Sequence, residues 1–395
     1  MDSILWILGL ALFLITLPGT IELALLTFPG LAGVRQRRPD VDSSAVRLTV
    51  VIPAHNEETG LPVTLKSLKS CTNPLADEDL HVIADNCSDN TAEVARQAGC
   101  TVLERHDTTL RGKGYALNWA FQQVQQKDYD AIIIVDADTR VDANFLDAYR
   151  NLFANGADAG QAVYRVGNPE ANFRTRLMHI AFLAFNFLRP LSRQNLGFSA
   201  GILGNGFALS INTVREIPYD SFSIVEDLEY HTRLVRAGKK VTFLPDTAVW
   251  SDMPETSEAA QTQRERWEGG RLRMTIEQTP KLAAGVLSGR WRLLEPLLEL
   301  LLLPLSYHLL LLLMLVIIGG GGFFTWYALA GLAMVVLHVI VAMIVGKASA
   351  EDWKALLSAP FYILWKVANI VGIVKTAGKG ADWNRTSRES GSKRR

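Results

Sequence analysis

Acidic side chains stand at the ends of several short apolar runs between residues 48 and 138. They are Glu57, Asp85, Asp136 and Asp138. Any one of them alone is typical of a turn or a helix cap. Together they do not suit a phosphate-binding site without a metal ion, because carboxylates repel phosphate. Mg²⁺ or Mn²⁺ resolves the conflict, since such a cation binds one or two carboxylates and completes its shell with phosphate oxygens and water. The pattern predicts a metal-bridged nucleotide diphosphate.

The elements that position these side chains alternate between strand and helix. Strand-like runs and helix-like segments follow one another in this order: 48–53, 60–69, 80–84, 91–98, 101–103, 115–126 and 131–135. Such alternation predicts an α/β domain with a mostly parallel sheet and right-handed crossovers. Ligands bind such sheets at the carboxyl ends of the strands, which is where the acidic residues lie. No glycine-rich P-loop motif is present, which favours the metal-bridged interpretation.

Composition sets the broad class of the chain. The 395 residues predict two or three structural units. The 40 basic and 40 acidic side chains cancel, which argues against a nucleic-acid partner. The cysteines, Cys71, Cys87 and Cys100, are too few and too scattered for a disulfide framework and show no zinc spacing. They fit a reducing compartment.

Apolar residues concentrate at the two ends of the chain. Residues 4–26 are long enough to span a bilayer, and the start lacks the basic residues of a signal peptide. An uncleaved membrane helix is therefore favoured, although Glu22 is an unusual charge within it. The arginines that follow, at positions 35, 37 and 38, place the next segment in the cytoplasm by the positive-inside rule.

A second apolar block begins near residue 293. Residues 300–318 and 323–345 predict a membrane hairpin with a four-glycine turn between them. Residues 351–380 predict an interfacial helix, because polar residues interrupt the apolar stretch and a fourth crossing would export the basic tail. The segment 172–190 fits equally a membrane-surface helix that guides a lipid acceptor and a helix packed in a core.

Six motifs in one order resemble those of the family-2 glycosyltransferases. The resemblance is greatest to the membrane-embedded β-glycosyltransferases, which include cellulose, chitin, hyaluronan and poly-N-acetylglucosamine synthases. The motifs are Val51-Ile-Pro-Ala-His-Asn-Glu57, Asp85-Asn-Cys-Ser-Asp89, Gly112-Lys-Gly-Tyr-Ala-Leu-Asn118, Asp136-Ala-Asp138, Val225-Glu-Asp227 and Gln263-Arg-Glu-Arg-Trp267. A lone Asp-x-Asp motif is weak evidence for this family, but six motifs in the family's order are strong evidence.

The resemblance implies a role for each matching residue. Glu57 and Asp85 would hold the uridine of a UDP-sugar. The residues implied in donor binding are Glu57, Asp85, Lys113, Asp136 and Arg266. Asp138 would bind the metal ion, Mg²⁺ or Mn²⁺, and Asp227 would be the general base. The residues implied on the acceptor side are Gln263 and Trp267 together with Gly204 and Asn205 of a glycine-rich loop.

The resemblance also implies an organisation. We expect a transmembrane helix in 1–34, a cytoplasmic GT-A-like (Rossmann-like) domain in 47–275, an interfacial segment and transmembrane hairpin in 280–346, and an interfacial helix with a basic cytoplasmic tail in 351–395. The mostly parallel sheet domain would thus be flanked by transmembrane and interfacial helices. The expected location is the plasma (inner) membrane, crossed several times, with the catalytic domain in the cytoplasm.

The expected reaction is inverting transfer from a UDP-sugar to form a β-glycosidic bond. One base without a second catalytic carboxylate distinguishes this site from a retaining hydrolase. The first hypothesis is a polysaccharide or oligosaccharide synthase. The second is a single-sugar transferase to a lipid acceptor such as a glycolipid or a polyprenyl phosphate. A membrane scaffold with a degenerate transferase domain is disfavoured, because every catalytic carboxylate is present.

The topology is testable by cysteine labelling. Ser349→Cys and Ser392→Cys, each made in a variant without Cys71, Cys87 and Cys100, should both resist a membrane-impermeant thiol reagent in intact cells. Both positions are predicted to be cytoplasmic, so the reagent cannot reach them. Labelling at position 392 from outside would contradict the predicted interfacial helix.

Overall fold

The structure, a computed structural model, describes residues 3–33 and 42–361. In these ranges the chain divides into a sheet unit, residues 42–171 and 199–263, and a helical unit, residues 3–33, 172–198 and 264–361. The predicted domain 47–275 thus contains a segment, 172–198, that belongs to the helical unit.

Some predictions lie outside the described residues. They are the arginine cluster at positions 35, 37 and 38, the interfacial helix beyond residue 361 and the basic tail. The first part of the predicted interfacial segment is described, and it contains a helix at Ala350–Leu356.

The sheet unit is built on eight strands within its described residues. The strands are β1 (Leu48–Ala54), β2 (Leu80–Asp85), β3 (Thr101–Arg105), β4 (Ala131–Ile134), β5 (Thr139–Val141), β6 (Ala159–Val166), β7 (Phe207–Ser210) and β8 (Val241–Ser251). Their spatial order is β3-β2-β1-β4-β7-β6-β8-β5. The first four are mutually parallel, as predicted, whereas β7 is antiparallel to both neighbours and β5 is antiparallel to β8. The later strands were not predicted from the sequence.

The described residues also contain fourteen α-helices and one π-helix. The first eight helical elements are α1 (Ser3–Thr27), α2 (Leu61–Lys69), α3 (Thr91–Gln97), α4 (Lys113–Val124), α5 (Phe145–Ala154), α6 (Phe173–Phe182), the π-helix (Leu183–Leu188) and α7 (Arg189–Asn195). The others are α8 (Ile211–Glu216), α9 (Glu226–Arg236), α10 (Ser257–Leu287), α11 (Leu294–Leu301), α12 (Leu305–Ile318), α13 (Phe323–Val345) and α14 (Ala350–Leu356). Short 3₁₀ turns occur at Pro29–Ala32, Asp77–Asp79 and Trp291–Leu293.

Buried aliphatic side chains on both faces hold the central strands. Val50 and Ile52 of β1 pack in the core on one face, and Val51 packs with Ile132 and Ile134 of β4 on the other. This alternation follows from the period of two residues along a strand. Each such side chain contributes about 1.5–3 kcal/mol when fully buried, so the strand ends that carry the motifs start from a rigid base.

The helical unit contains the apolar segments predicted to cross a membrane. Among the described residues, Ser3–Ala32 and Phe323–Val345 are long and apolar enough to span a bilayer. The predicted span 300–318 is wrong as a single helix, because α11 and α12 meet at an angle of 80°. Pro304 precedes α12, and a proline lacks an amide N–H and disfavours helical backbone in the residue before it. The bent pair could form a third span.

A buried ionic cluster explains the charge within the first apolar helix. Arg193 of α7 pairs with Glu22 of α1 at 3.2 Å, with Glu299 at 3.3 Å, and with Glu295 of α11. Glu22, Arg193 and Glu295 are buried. We call these four residues the ionic cluster. One guanidinium thus pairs with carboxylates from separate helices, and Glu22 has its partner inside the protein.

The ionic cluster yields a stability prediction. Arg193→Met should lower the free energy of unfolding by about 3–5 kcal/mol, because it leaves buried carboxylates without a counter-charge. Thermal unfolding of the detergent-solubilised protein would measure the loss. The matched control is Arg292→Met, at an exposed position of the same unit. Equal midpoints for the two variants would contradict a stabilising role for the cluster.

Candidate active site

The turns that follow β1 and β2 are tied to each other by hydrogen bonds. Asn56 adopts a left-handed backbone conformation, with φ of 56°, which asparagine tolerates better than most residues. Its Oδ1 accepts a hydrogen bond of 2.7 Å from the amide of Ser88. His55 Nδ1 donates to the carbonyl of Asp85 at 2.7 Å. The two motifs at these strand ends therefore form one structure.

Asp85 is held by a buried arginine that the sequence interpretation missed. Arg105 Nη1 donates to Asp85 Oδ1 at 2.7 Å, and Nη2 donates to the carbonyl of Leu110 at 2.6 Å. Burial raises the pKa of Asp85, although the adjacent guanidinium opposes the shift. Arg105 thus orients the carboxylate and anchors the loop before the Gly-Lys-Gly motif. In the structure β3 extends to Arg105, beyond the predicted 101–103. Prediction of the longer strand would have included this arginine.

Glu57 and Asp138 approach each other around Gly60. A Cβ atom at Gly60 would lie 3.0 Å from Glu57 Oε2 and 3.3 Å from Asp138 Cβ. A side chain at this position would therefore press on both acidic residues. The structure brings together two residues whose roles the sequence separated into donor binding and metal binding.

Lys113 links the Asp-x-Asp motif to the glycine-rich loop. Its ammonium group donates to Asp136 Oδ1 at 2.5 Å and to the carbonyl of Gly204 at 2.5 Å. Burial opposes the charge, but the nearby carboxylates of Asp136, Glu226 and Asp227 raise the pKa of Lys113 above its usual value. The lysine is therefore a permanent cation among acidic groups.

Buried side chains of β6 and α5 fix the loop 201–206. Gln161 of β6 accepts from the amide of Leu203 at 2.9 Å and donates to the carbonyl of Asn205 at 2.9 Å. The hydroxyl of Tyr149 donates to the carbonyl of Gly206 at 2.6 Å. These two anchoring residues were not found from the sequence, because their partners are distant in the chain.

Asn205 has a different environment from the one implied by the sequence. It is buried, and its Oδ1 accepts from the amide of Asp136 at 3.0 Å. Its Nδ2 donates to Thr139 Oγ1 at 2.8 Å and to Ser251 Oγ at 3.2 Å. These bonds position Asp136, so we do not retain direct acceptor contact for Asn205.

Asp227 lies at the start of α9, next to Gly204. A Cβ atom at Gly204, whose φ is 76°, would lie 2.9 Å from Asp227 Oδ2. The amide of Leu228 donates to Asp227 Oδ1 at 2.8 Å. Burial raises the pKa of Asp227 above its usual value. Burial also raises the pKa of the neighbouring Glu226 to about 7, against the attraction of Lys113. A half-buried carboxylate of raised pKa suits a general base.

The remaining predicted residues lie on α10. Gln263 belongs to the sheet unit, whereas Arg266 and Trp267 belong to the helical unit. Within that unit, the rings of Trp267 and Phe182 have centroids 6.5 Å apart and planes inclined by 39°. The roles expected of Arg266 toward the diphosphate, and of Gln263 and Trp267 toward the acceptor, stay predictions.

The acidic residues fit a metal ion that the substrate completes. The described part of the chain holds no group of three or more His, Cys, Asp or Glu side chains arranged to bind a metal ion. Mg²⁺ and Mn²⁺ need only one or two protein carboxylates where phosphate oxygens supply other ligands. Asp138, with Glu57 nearby and Asp136 paired to Lys113, provides such a partial set.

Family models match the chain across both units. The model described as "Glycosyl transferase family group 2" matches residues 131–346, more than half of the chain. The model described as "Glycosyl transferase family 2" matches residues 49–212. These matches cover the motifs that carry the resemblance drawn from the sequence.

Individual relatives agree with the family models. A probable glycosyltransferase of Bacillus subtilis (strain 168), YdaM, is 28% identical over 233 residues, 57% of this chain and 55% of the relative. The poly-β-1,6-N-acetyl-D-glucosamine synthase of Staphylococcus aureus (strain COL) is 26% identical over 246 residues, 59% of this chain and 57% of the synthase. The chain thus spans a little over half the length of these curated relatives.

A solved structure shares the fold. The mannosyltransferase PcManGT of Pyrobaculum calidifontis, in complex with GDP-Man and Mn²⁺, aligns with a TM-score of 0.55 and 16% sequence identity. The alignment covers 94% of this chain and 98% of the mannosyltransferase. The likeness confirms the expected GT-A-like fold class, an α/β sheet domain accompanied by apolar helices.

The contact between Gly204 and Asp227 yields a matched pair of variants. Gly204→Ala should reduce turnover about tenfold or more, because the new methyl group displaces the carboxylate of Asp227 and a small misplacement of a catalytic group is costly. Gly156→Ala is the control, since Gly156 has a similar φ of 72° but no atom within 4 Å of its added Cβ. Sugar-transfer kinetics and thermal unfolding would be measured on both.

The control separates backbone strain from the effect on the site. Both alanine variants place a side chain in the left-handed region, so both should lose similar stability. Only Gly204→Ala should lose turnover. Equal turnover in the two variants would show that the Gly204 contact does not position Asp227.

Proposed function

The chain belongs to glycosyl transferase family group 2, and we propose that it transfers a sugar from a UDP-sugar to an acceptor hydroxyl with inversion at the anomeric carbon. The observation that carries the proposal is the approach of Asp227 to Gly204, whose carbonyl binds the Lys113 ammonium group. The reaction needs a base for the acceptor hydroxyl and a cation for the leaving diphosphate, and a candidate for each approaches this glycine.

Asp227 is the proposed general base. The acceptor oxygen forms a bond to the anomeric carbon while the bond from that carbon to the phosphate oxygen breaks. The diphosphate leaves with the bonding electron pair, and the hydroxyl proton passes to the carboxylate of Asp227. Burial of Asp227 raises its pKa, which makes the carboxylate a stronger base than an exposed aspartate.

Lys113 is proposed to stabilise the leaving group. Its charge lies at the Asp136 carboxylate and the Gly204 carbonyl, where a developing negative charge on the diphosphate would be attracted. Arg266 is proposed to contact the same diphosphate. Glu57 and Asp85 are proposed to hold the uridine, with Arg105 keeping the Asp85 carboxylate in place.

Mg²⁺ or Mn²⁺ held by Asp138 would offset the negative charge of the diphosphate. Hydrogen bonds within the protein hold Asp136, the other acidic residue of the motif, without the ion. Asn205 Oδ1 accepts a hydrogen bond from the backbone amide of Asp136, and Lys113 donates to one carboxylate oxygen of Asp136. Asp138 is therefore the acidic residue of the pair that we propose as the metal ligand.

The arrangement of carboxylates supports inversion. A retaining enzyme of the hydrolase type needs a nucleophile and an acid about 5 Å apart on the same substrate. Glu226 and Asp227 are neighbours on one helix, where successive side chains point in different directions. Asp227 alone is therefore proposed to act on the reacting atoms.

The acceptor is proposed to be a growing polysaccharide or oligosaccharide at the cytoplasmic face of a membrane. The staphylococcal relative named as a poly-β-1,6-N-acetyl-D-glucosamine synthase supports a polymer. The alternative acceptor is a lipid. The small number of candidate spans, two or at most three in the described residues, favours this alternative. Gln263, Trp267 and Gly204 are the residues proposed on the acceptor side.

Removal of the base tests the mechanism. Asp227→Asn should lower turnover by at least about a hundredfold, since general-base catalysis contributes about 10²–10⁴. Binding of UDP should change little, because the amide has nearly the same size and the variant removes only the proton acceptor. Transfer rates and UDP affinity would be measured on the same preparation. Near-normal turnover would refute the role of Asp227.

The pH profile of the wild-type enzyme tests the role of Asp227 independently. A base works only when deprotonated, so a raised pKa moves the acidic limb of kcat/KM upward from the ordinary aspartate value of about 3.9. Activity should therefore be lost on the acid side at a pH above this ordinary value, as the carboxylate takes up its proton. A profile that stays flat down to about pH 4 would contradict a buried carboxylate base.

The acceptor is tested by offering radiolabelled nucleotide sugars to membranes that contain the protein and sizing the products. The proposal predicts label from a UDP-sugar in material of high molecular weight. Label confined to a lipid extract would select the lipid alternative. Label from a GDP-sugar alone would contradict the proposed donor. Asp227→Asn membranes are the control, since they should give no product of either kind.

A further inference from the structure

A buried arginine of the helical unit has no role in the proposed reaction. Arg189 is 1% exposed and directly follows the π-helix Leu183–Leu188. Its guanidinium carbon lies 3.8 Å from the centroid of the Phe185 ring, against which it stacks. A charged group in these surroundings is expensive to keep, because it has been removed from water.

Arg189 lacks the hydrogen bonds that its neighbour has. Arg193, one helical turn later, pairs with Glu22, Glu295 and Glu299. In contrast, the buried Nε and Nη2 of Arg189 have no hydrogen-bond partner in residues 3–33 or 42–361. A buried donor without an acceptor costs about 1–3 kcal/mol, and more for a charged group. The missing partner is an acceptor, preferably an anion.

The surrounding charges leave the position open to an anion. Arg193 and Arg271 repel the charge of Arg189, whereas Glu22 and Glu299 attract it. Both carboxylates are paired to Arg193, which weakens their repulsion of an incoming anion. Arg271 donates to the backbone carbonyl of Glu299. Of these three arginines, Arg189 is the one with buried donor nitrogens, Nε and Nη2, that have no partner in the described residues.

The π-helix that precedes Arg189 packs through apolar side chains. Leu183, Ala184 and Leu188 of the π-helix pack against Val341 and Ala342 of α13, a helix long and apolar enough to cross a bilayer. A π-helix widens the helical backbone locally and occurs often at functional sites. An ionisable residue among candidate membrane helices is itself a sign of function. An anion that binds Arg189 among such helices is therefore expected to carry an apolar tail.

We infer that Arg189 binds the phosphate group of a lipid. The planar guanidinium can donate from Nε and Nη2 to two phosphate oxygens at once, a geometry that arginine provides and lysine does not. This inference rests on the membrane placement in the proposed function. It extends that function by naming a phosphate-bearing lipid as a ligand of the helical unit, in the class to which a lipid-linked acceptor belongs.

The test uses the full-length protein purified in a neutral detergent. The probes are phosphatidic acid, diacylglycerol with the same acyl chains, and inorganic phosphate. Phosphatidic acid should raise the melting temperature of the wild-type protein, and diacylglycerol should not. Arg189→Gln should weaken the apparent affinity for phosphatidic acid about tenfold or more, because a charge-assisted hydrogen-bond pair is lost. Arg189→Lys should be intermediate, since it keeps the charge without the planar geometry.

Arg290→Gln is the matched control, an exposed arginine of the same unit whose loss removes the same charge. It should bind phosphatidic acid as the wild type does. The inference is overturned if Arg189→Gln and wild type bind phosphatidic acid equally, or if the wild type gains no stability from it. Equal stabilisation by inorganic phosphate would overturn the lipid assignment. If Arg189→Gln does not fold, Arg189→Lys against wild type decides by the same criteria.

Failure of this inference is distinguishable from failure of the proposed function. UDP-sugar transfer would be measured on the same preparations. Transfer without phosphatidic acid binding would overturn the Arg189 site and leave the enzyme assignment intact. Binding that depends on Arg189 without any transfer would support the lipid site and contradict the enzyme assignment.

Discussion

The ammonium group of Lys113 is the interaction on which the rest of the candidate site depends. It joins Asp136 at the end of β4 to the carbonyl of Gly204, and it lies close to the two carboxylates that begin α9. Without this cation, several acidic side chains would share a buried space with no counter-charge, which proteins avoid. Burial raises the pKa of Asp227, and the charge of Lys113 opposes that rise, so the lysine helps to keep Asp227 ionised beside the proposed diphosphate position.

The sequence predicted the parallel half of the sheet and the acidic edge, for a physical reason. Strands β1 and β4 are buried on both faces and therefore read as unbroken apolar runs. The later strands gave no such signal, since β5 has only three residues and β7 pairs in an antiparallel ladder with partners far away in the chain. Arg105 and Gln161 were missed because a buried polar residue is recognised only through the partner that folding brings to it.

The helical unit shows the same limit. Its apolar helices were predicted from composition, but Glu22 looked anomalous because its partner, Arg193, is 171 residues away. The segment 172–198 that carries Arg193 belongs to this unit, although it interrupts the sheet unit in the chain. The break before α12 follows from Pro304, a local signal within a leucine-rich run. Helix composition thus predicts which segments are apolar, whereas an ionic pair such as Glu22 with Arg193 joins residues that only folding brings together.

The central claim, inverting transfer with Asp227 as the base, is tested most directly by the configuration of the product. The enzyme would be supplied with an α-linked UDP-sugar, and the anomeric coupling of the newly formed bond would be measured by proton NMR before any rearrangement. The account predicts the large coupling of a β-linkage for a gluco-configured sugar. An α-linkage would mean retention, and it would contradict a mechanism in which a single carboxylate deprotonates the acceptor.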